Sequence, residues 1–173
     1  MNATLDQRLI RITVNNVVHH VAVSPRQHLV DFLRDELGLK GSHVGCEHGV
    51  CGACSLLVNG QLVRGCLMLA VQADGATVQT IEGITQSGAA ADLQAAFVAR
   101  NALQCGYCTP GMLAAALDLV KSRPHATRAE VREWMTGNYC RCTGYQAIVD
   151  AVCDVLAKRA AKQSAAGQTG VQS

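Results

Sequence analysis

The chain has 173 residues, 49% of them apolar but only 3% aromatic, with a formal net charge of +2. That length holds one ordinary domain or two small ones, and so small a charge argues against nucleic acid or an anionic membrane surface as partner. No run of about 18 apolar residues is present to span a bilayer, and the opening "MNATLDQRLIRITVNN" is broken by charges with no signal-peptide core. The expectation is a cytoplasmic protein with a core of Ala, Val, Leu and Ile.

Residues 8–23 predict two strands around the turn residues Asn15 and Asn16. Ser24-Pro25 then offers a helix start, with Leu29, Val30, Leu33 and Leu37 at helical spacing and Gly38 as the stop. A loop rich in glycine and cysteine spans 41–54. "SLLVNGQLV" follows as a hairpin turning on Asn59-Gly60, and "TVQTI" (77–81) is the last strand. Residues 83–91, "GITQSGAAA", change composition and predict a linker. Beyond it the periodicity gives helices near 92–103, 110–122, 128–136 and 144–159, the third opened by the capping box Thr127-x-x-Glu130. The final stretch, 161–173, has little apolar content and is expected to be disordered.

Nine cysteines are many for such a chain, and the number is odd. In a reducing compartment clustered thiols serve metals or redox chemistry more often than disulfides. Cys46, Cys51, Cys54 and Cys66 follow C-x4-C-x2-C-x11-C, the plant-type [2Fe–2S] spacing. A two-iron cluster needs two thiolates on each iron; a short loop wraps it with three sulfurs and a fourth arrives from elsewhere. Gly45, Gly49 and Gly52 interleave these cysteines, which lets backbone N–H groups turn toward the sulfurs. A structural zinc site more often uses two close pairs. His48 is then surplus and reads as a solvated loop residue, and His19 and His20, adjacent on a strand, face opposite sides.

Cys105, Cys108, Cys140 and Cys142 follow C-x2-C-x31-C-x-C. Each pair precedes a predicted helix, with Thr109 or Thr143 placed to cap it and Pro110 at a first helical position. Two helix N-termini aimed at one anionic group favour it electrostatically, and Arg141 adds a cation or simply faces solvent. On this spacing alone the second set fits either zinc or an iron–sulfur cluster. Cys153, beside Val149, Val152 and Leu156, reads as a small buried apolar residue.

"GCEHGVCGAC" (45–54), "GC" (65–66), "QCGYCTPGM" (104–112) and "CRCTGY" (140–145) together resemble the small iron–sulfur subunit of the molybdenum hydroxylases, the xanthine dehydrogenase and aldehyde oxidoreductase family that includes aerobic carbon monoxide dehydrogenases. The resemblance covers about residues 8–160. It implies an α+β chain: a β-grasp plant-type ferredoxin domain over 1–82, the linker 83–91 and an all-α four-helix [2Fe–2S]-binding domain over 92–160. It implies two [2Fe–2S] clusters here, a molybdopterin cofactor in a large partner subunit, and FAD in a medium subunit or a cytochrome as acceptor, in a dimer of heterotrimers. It places Gln104 and Cys142 near the partner's pterin. Tyr139 departs from the aliphatic residue common before C-R-C. The resemblance makes this chain an electron carrier with no catalytic residue of its own; a free-standing two-cluster carrier and a zinc-stabilised interaction module are the alternatives.

Overall fold

The computed structural model describes residues 6–168. The chain is α+β. It opens with the hairpin β1 (Arg8–Val14) and β2 (Val17–Val23), turned by Asn15 and Asn16, both at positive φ (49° and 69°), as a two-residue turn between right-twisted strands requires. β3 (Ser55–Val58) and β4 (Gln61–Arg64) form the second hairpin, and β5 (Thr77–Gln79) completes a five-stranded sheet of order β2-β1-β5-β3-β4. β1 and β5 run parallel, while the other neighbours are antiparallel.

The first helix departs from the sequence expectation. Ser24-Pro25 makes a turn, closed by the Gln27 N–H on the Ser24 carbonyl (3.0 Å), and α1 (Leu29–Asp31) starts later, continuing as a π-wound turn over Phe32–Glu36. The intervening backbone is committed elsewhere. Leu29 N–H donates to Met68 O (2.7 Å) and Ala70 N–H to Gln27 O (2.8 Å), so His28 must be extended (ψ 147°) and cannot lie inside a helix.

The expected linker is also partly helical: α2 covers Ile81–Gln86 and buries Ile84 in the helical core. Gly83 reads as a breaker, but a Cβ there would overlap the Asn15 side chain; its smallness admits that contact. α3 (Ala91–Ala99), α4 (Thr109–Ser122), α5 (Arg128–Met135) and α6 (Gln146–Gln168) follow. α3 stops short of the expected 103 because Asn101 takes a left-handed conformation (φ 50°). α6 runs through 161–168, where disorder was expected: Ala, Lys and Gln are strong helix formers even without an apolar face. The rest of that tail, 169–173, lies outside the described residues. The capping box at α5 forms as expected, with Thr127 N–H on Glu130 Oε2 (2.7 Å) and Glu130 N–H on Thr127 Oγ1 (3.4 Å).

Every residue of β3 is buried. By strand alternation, Leu56 and Val58 join the sheet core with Ile12, Phe32, Leu33 and Val78, while Leu57 joins the helical core with Phe97, Met112, Leu117 and Val152. One strand thus belongs to both cores: α2 to α6 pack on one face of the sheet and α1 on the other. This arrangement brings the two cysteine-bearing regions together.

Candidate metal centres

The first four thiols are held at graded depth. Cys54 and Cys66 are buried at 1% exposure each, packed with Val30 and half-buried Val44, while Cys46 and Cys51 are half-buried. Cys51 N–H donates to Cys46 Sγ (3.4 Å). That bond first, and backbone N–H groups of His48 and Val50 with it, bring the Cys46 thiol down to about 6. Burial, together with the adjoining Cys66 thiol, pushes Cys54 up to about 11. His48 is exposed, its Nδ1 turned to the Cys46 carbonyl, and His19 and His20 alternate along β2.

The second four lie on two loops. Cys105 and Cys142 are exposed, with their sulfurs 3.6 Å apart. Cys108 and Cys140 are half-buried; burial, with the Cys140 thiol beside it, pushes Cys108 up to about 12. For Cys140 burial acts in the same upward direction, but donors overcome it: Thr143 Oγ1 (3.1 Å) and Thr143 N–H (3.4 Å) both reach its sulfur, and the thiol is lowered. Neither threonine caps a helix. The α4 N-cap is Cys108 with no side-chain bond, placing Thr109 and Pro110 inside the first turn. Thr143 donates its hydroxyl to Cys140 Sγ and accepts from Tyr145 N–H (3.2 Å), one residue before α6 begins. Gln104, Arg141 and Tyr139 are exposed beside these thiols. Cys153 is half-buried against the helical core, apart from both sets.

Cys105 and Cys142 meet sulfur to sulfur, Cys54 and Cys66 pack together in the interior, the Cys51 N–H reaches Cys46 Sγ, and Cys108 and Cys140 adjoin closely enough to perturb one another. Two thiolates on one tetrahedral metal, with metal–sulfur bonds of about 2.3 Å, sit roughly 3.8 Å apart, close to the Cys105–Cys142 separation. Among the described residues no three His, Cys, Asp or Glu side chains gather around a point suited to a single ion. Two pairs per set, with N–H and O–H donors already on sulfur, suit a two-iron, four-thiolate group.

The two sets also touch one another. Tyr139 N–H donates to Cys51 O (2.8 Å), and the buried Asn138 donates from Nδ2 to Gly52 O (2.9 Å) and Ser55 Oγ (3.3 Å). Gly52 takes φ 72°, and a Cβ there would stand 2.6 Å from Asn138 Cγ. Arg64 spans from Ser55 Oγ to Gly137 O. Tyr145 Oη accepts from Cys140 N–H (2.9 Å) and donates to Asn138 O (3.0 Å). Nothing local in the sequence shows these contacts of Asn138 and Arg64, whose partners Gly52 and Gly137 lie 86 and 73 residues away.

Two family models divide the chain. A 2Fe-2S iron-sulfur cluster binding domain matches residues 12–81 and a [2Fe-2S] binding domain matches 80–153. The nicotine 6-hydroxylase small subunit of Paenarthrobacter nicotinovorans is 49% identical over 149 residues, 86% of this chain and 90% of that protein. The chain belongs to the iron–sulfur small-subunit family of the molybdenum hydroxylases. Caffeine dehydrogenase subunit gamma of Pseudomonas sp. (strain CBB1) is 46% identical over 154 residues, covering 87% of this chain and 92% of that one. Quinoline 2-oxidoreductase from Pseudomonas putida 86 superimposes with a TM-score of 0.83 at 46% identity, over 91% of this chain and 97% of that chain. The small subunit described here is an electron-transfer component of an oxidoreductase and carries two [2Fe–2S] centres.

Proposed function

We propose that Cys46, Cys51, Cys54 and Cys66 hold one [2Fe–2S] cluster and Cys105, Cys108, Cys140 and Cys142 the other, within domains divided as 1–82 and 92–160. The observation that carries this reading is the meeting of Cys105 with Cys142, sulfurs 3.6 Å apart across 37 residues, beside a first set whose Cys54 and Cys66 are buried together, on loops joined by the Cys51–Tyr139 hydrogen bond. Each bound [2Fe–2S] group supplies a one-electron acceptor and donor. The chain holds the two groups at a fixed separation, donates N–H and O–H bonds to their sulfur ligands, and keeps water from the buried side of Cys54 and Cys66.

The exposed pair Cys105 and Cys142, with exposed Gln104, faces outward. This end meets a large partner subunit and its molybdopterin cofactor. The Cys46–Cys51 side meets the acceptor, FAD in a medium subunit, the whole assembling as a dimer of heterotrimers in the cytoplasm. No described helix is long and apolar enough to cross a membrane. The nicotine, caffeine and quinoline enzymes among the relatives make an N-heteroaromatic the substrate class to test first for the whole complex.

The test is electron paramagnetic resonance of the purified complex after reduction by substrate. Cys142→Ser is expected to abolish or alter one cluster signal and block reduction of the chain. Cys51→Ser should remove the other signal while substrate still reduces the first. Loss of the same signal in both variants would contradict the division into two sets.

A further inference from the structure

Tyr107 sits between Cys105 and Cys108 yet makes three contacts on the loop that leads into Cys46. Its ring stacks on His43, with centroids 4.5 Å apart and planes 22° from parallel. Its hydroxyl donates to Val44 O (2.8 Å). Its carbonyl lies 2.7 Å from His43 Nδ1, and because a carbonyl only accepts, the proton of that bond sits on Nδ1. Only Gly45 separates the ring from the first thiol set: a Cβ on Gly45 would lie 3.9 Å from Tyr107 Cε1 and 3.2 Å from Cys51 Sγ.

These contacts do not serve to bury the ring, which remains 49% exposed. Ordering a partly exposed aromatic side chain costs entropy and gains little from the hydrophobic effect. What the contacts do supply is a second point of attachment. On one side Asn138 and Tyr139 tie the Cys140 loop to Cys51 and Gly52. On the other, Tyr107 ties the Cys105–Cys108 loop to His43 and Val44. With the Arg64–Gly137 bond and the close approach of Gly111 to Gly52 O, attachments from both C-terminal loops restrict how the two thiol-bearing loops can shift against each other. Electron exchange between fixed centres falls steeply with distance, so positional tolerances of a fraction of an ångström matter, as they do at any preorganised site.

We infer that Tyr107, clamped by His43 and Val44, is a positioning residue for electron exchange between the two centres: it sets their separation and relative orientation rather than holding either of them. The inference rests on the assignment of the two thiol sets proposed above. The experiment uses the assembled complex carrying Tyr107→Leu, Tyr107→Phe or His43→Ala. Four readouts are taken: iron and acid-labile sulfide per chain, the resonance spectrum of each centre reduced singly, the spin–spin splitting when both are reduced, and the rate of transfer between them in a rapid-mixing experiment. Dipolar splitting varies with the inverse cube of separation, so it reports geometry directly. Tyr107→Leu is expected to keep full iron and unchanged single-centre spectra, while the splitting changes and transfer slows several-fold. His43→Ala should do the same to a smaller extent. Unchanged splitting and rate in both variants overturn the inference. Should Tyr107→Leu fail to assemble, Tyr107→Phe decides: it keeps the stack and deletes only the bond to Val44, so an altered splitting supports the role and an unaltered one overturns it. Failure of the thiol assignment is separately visible, because Cys51→Ser and Cys142→Ser would then leave both single-centre spectra intact whatever Tyr107 does.

Discussion

In the N-terminal set, Cys46, Cys51 and Cys54 share one loop and Cys66 follows just after β4; in the C-terminal set, two loops separated by α4 and α5 give two cysteines each. The first set has a buried inner pair packed with Val30, whereas the second has an exposed outer pair and no thiol as deep as Cys54 or Cys66. A single wrapping loop depends mainly on its own backbone. Two loops meeting in space depend on the helices that aim them, so the second site inherits the stability of the helical core. The difference teaches where each centre is vulnerable.

The sharpest way to break that contrast is to hollow each core in turn. Phe97, at 1% exposure, fills the helical core, and Phe32, at 0%, fills the sheet core. Truncating either to Ala removes a large buried side chain and leaves a cavity, at a cost of about 3–5 kcal/mol. Phe97→Ala is expected to lose the C-terminal centre's resonance first on heating or in urea, and Phe32→Ala the N-terminal one. If each variant loses both signals at the same midpoint, the two regions form one cooperative unit and the contrast fails.

A smaller effect tests the seam between the sets. A Cβ on Gly111, in the first turn of α4, would overlap the Gly52 carbonyl oxygen. Gly111→Ala therefore forces the Cys108 end of α4 away from the Cys51–Cys54 loop, and overpacking of this kind costs about 1–3 kcal/mol. Unlike the core truncations, it should alter both single-centre spectra together. A milder change is Thr127→Ala, which removes the α5 capping box at about 1 kcal/mol. It should lower the denaturation midpoint while leaving the N-terminal centre's spectrum untouched, since it is the segment after α5, at Asn138 and Tyr139, that meets that loop.

The parts of this molecule written in local chemistry were legible in the sequence. The turns at Asn15-Asn16 and Asn59-Gly60 and the Thr127–Glu130 box each depend on neighbours a few residues away. The short spacings within Cys46–Cys54, Cys105–Cys108 and Cys140–Cys142 are local in the same sense, but the meeting of Cys105 with Cys142 across 37 residues is not. Thr109 misled because α4 begins one residue earlier, with Cys108 as its N-cap, and Thr143 because α6 begins later, at Gln146, leaving its hydroxyl to accept from Tyr145 N–H and donate to the Cys140 sulfur. Ser24 misled because residues 27–29 bond to 68–70, a commitment invisible to a short window. The seam's partners were hidden: Asn138 meets Gly52 across 86 residues and Tyr107 meets Val44 across 63, distances that no local pattern spans.

The smallest expected effect concerns how the helical unit is laced. Arg159 on α6 grips Asp92 on α3 through two bonds of 2.8 and 2.9 Å, and Arg100 grips Asp154 in the same two-pronged way at 2.7 and 2.9 Å. The hydrogen bond from each guanidinium, ahead of its charge, holds Asp92 and Asp154 below the usual carboxylate range. A carboxyl depressed by folding contributes stability above its unfolded value of about 3.9. That contribution is lost as pH falls through the lower folded value. Both pairs are partly exposed, with 43% of the Asp92 side chain accessible, so water and salt screen the attraction. For Asp92 the expected contribution is under about 1 kcal/mol. Asp92→Asn should accordingly lower the urea midpoint slightly at pH 7. The gap from the parent chain should narrow in high salt and close as pH drops below 4. Among the described residues the N-terminal set has no such lacing to α6, so its resonance should be indifferent to this substitution at every pH where the chain stays folded. A shift in that signal would show that the two regions are coupled more tightly than their separate cores imply.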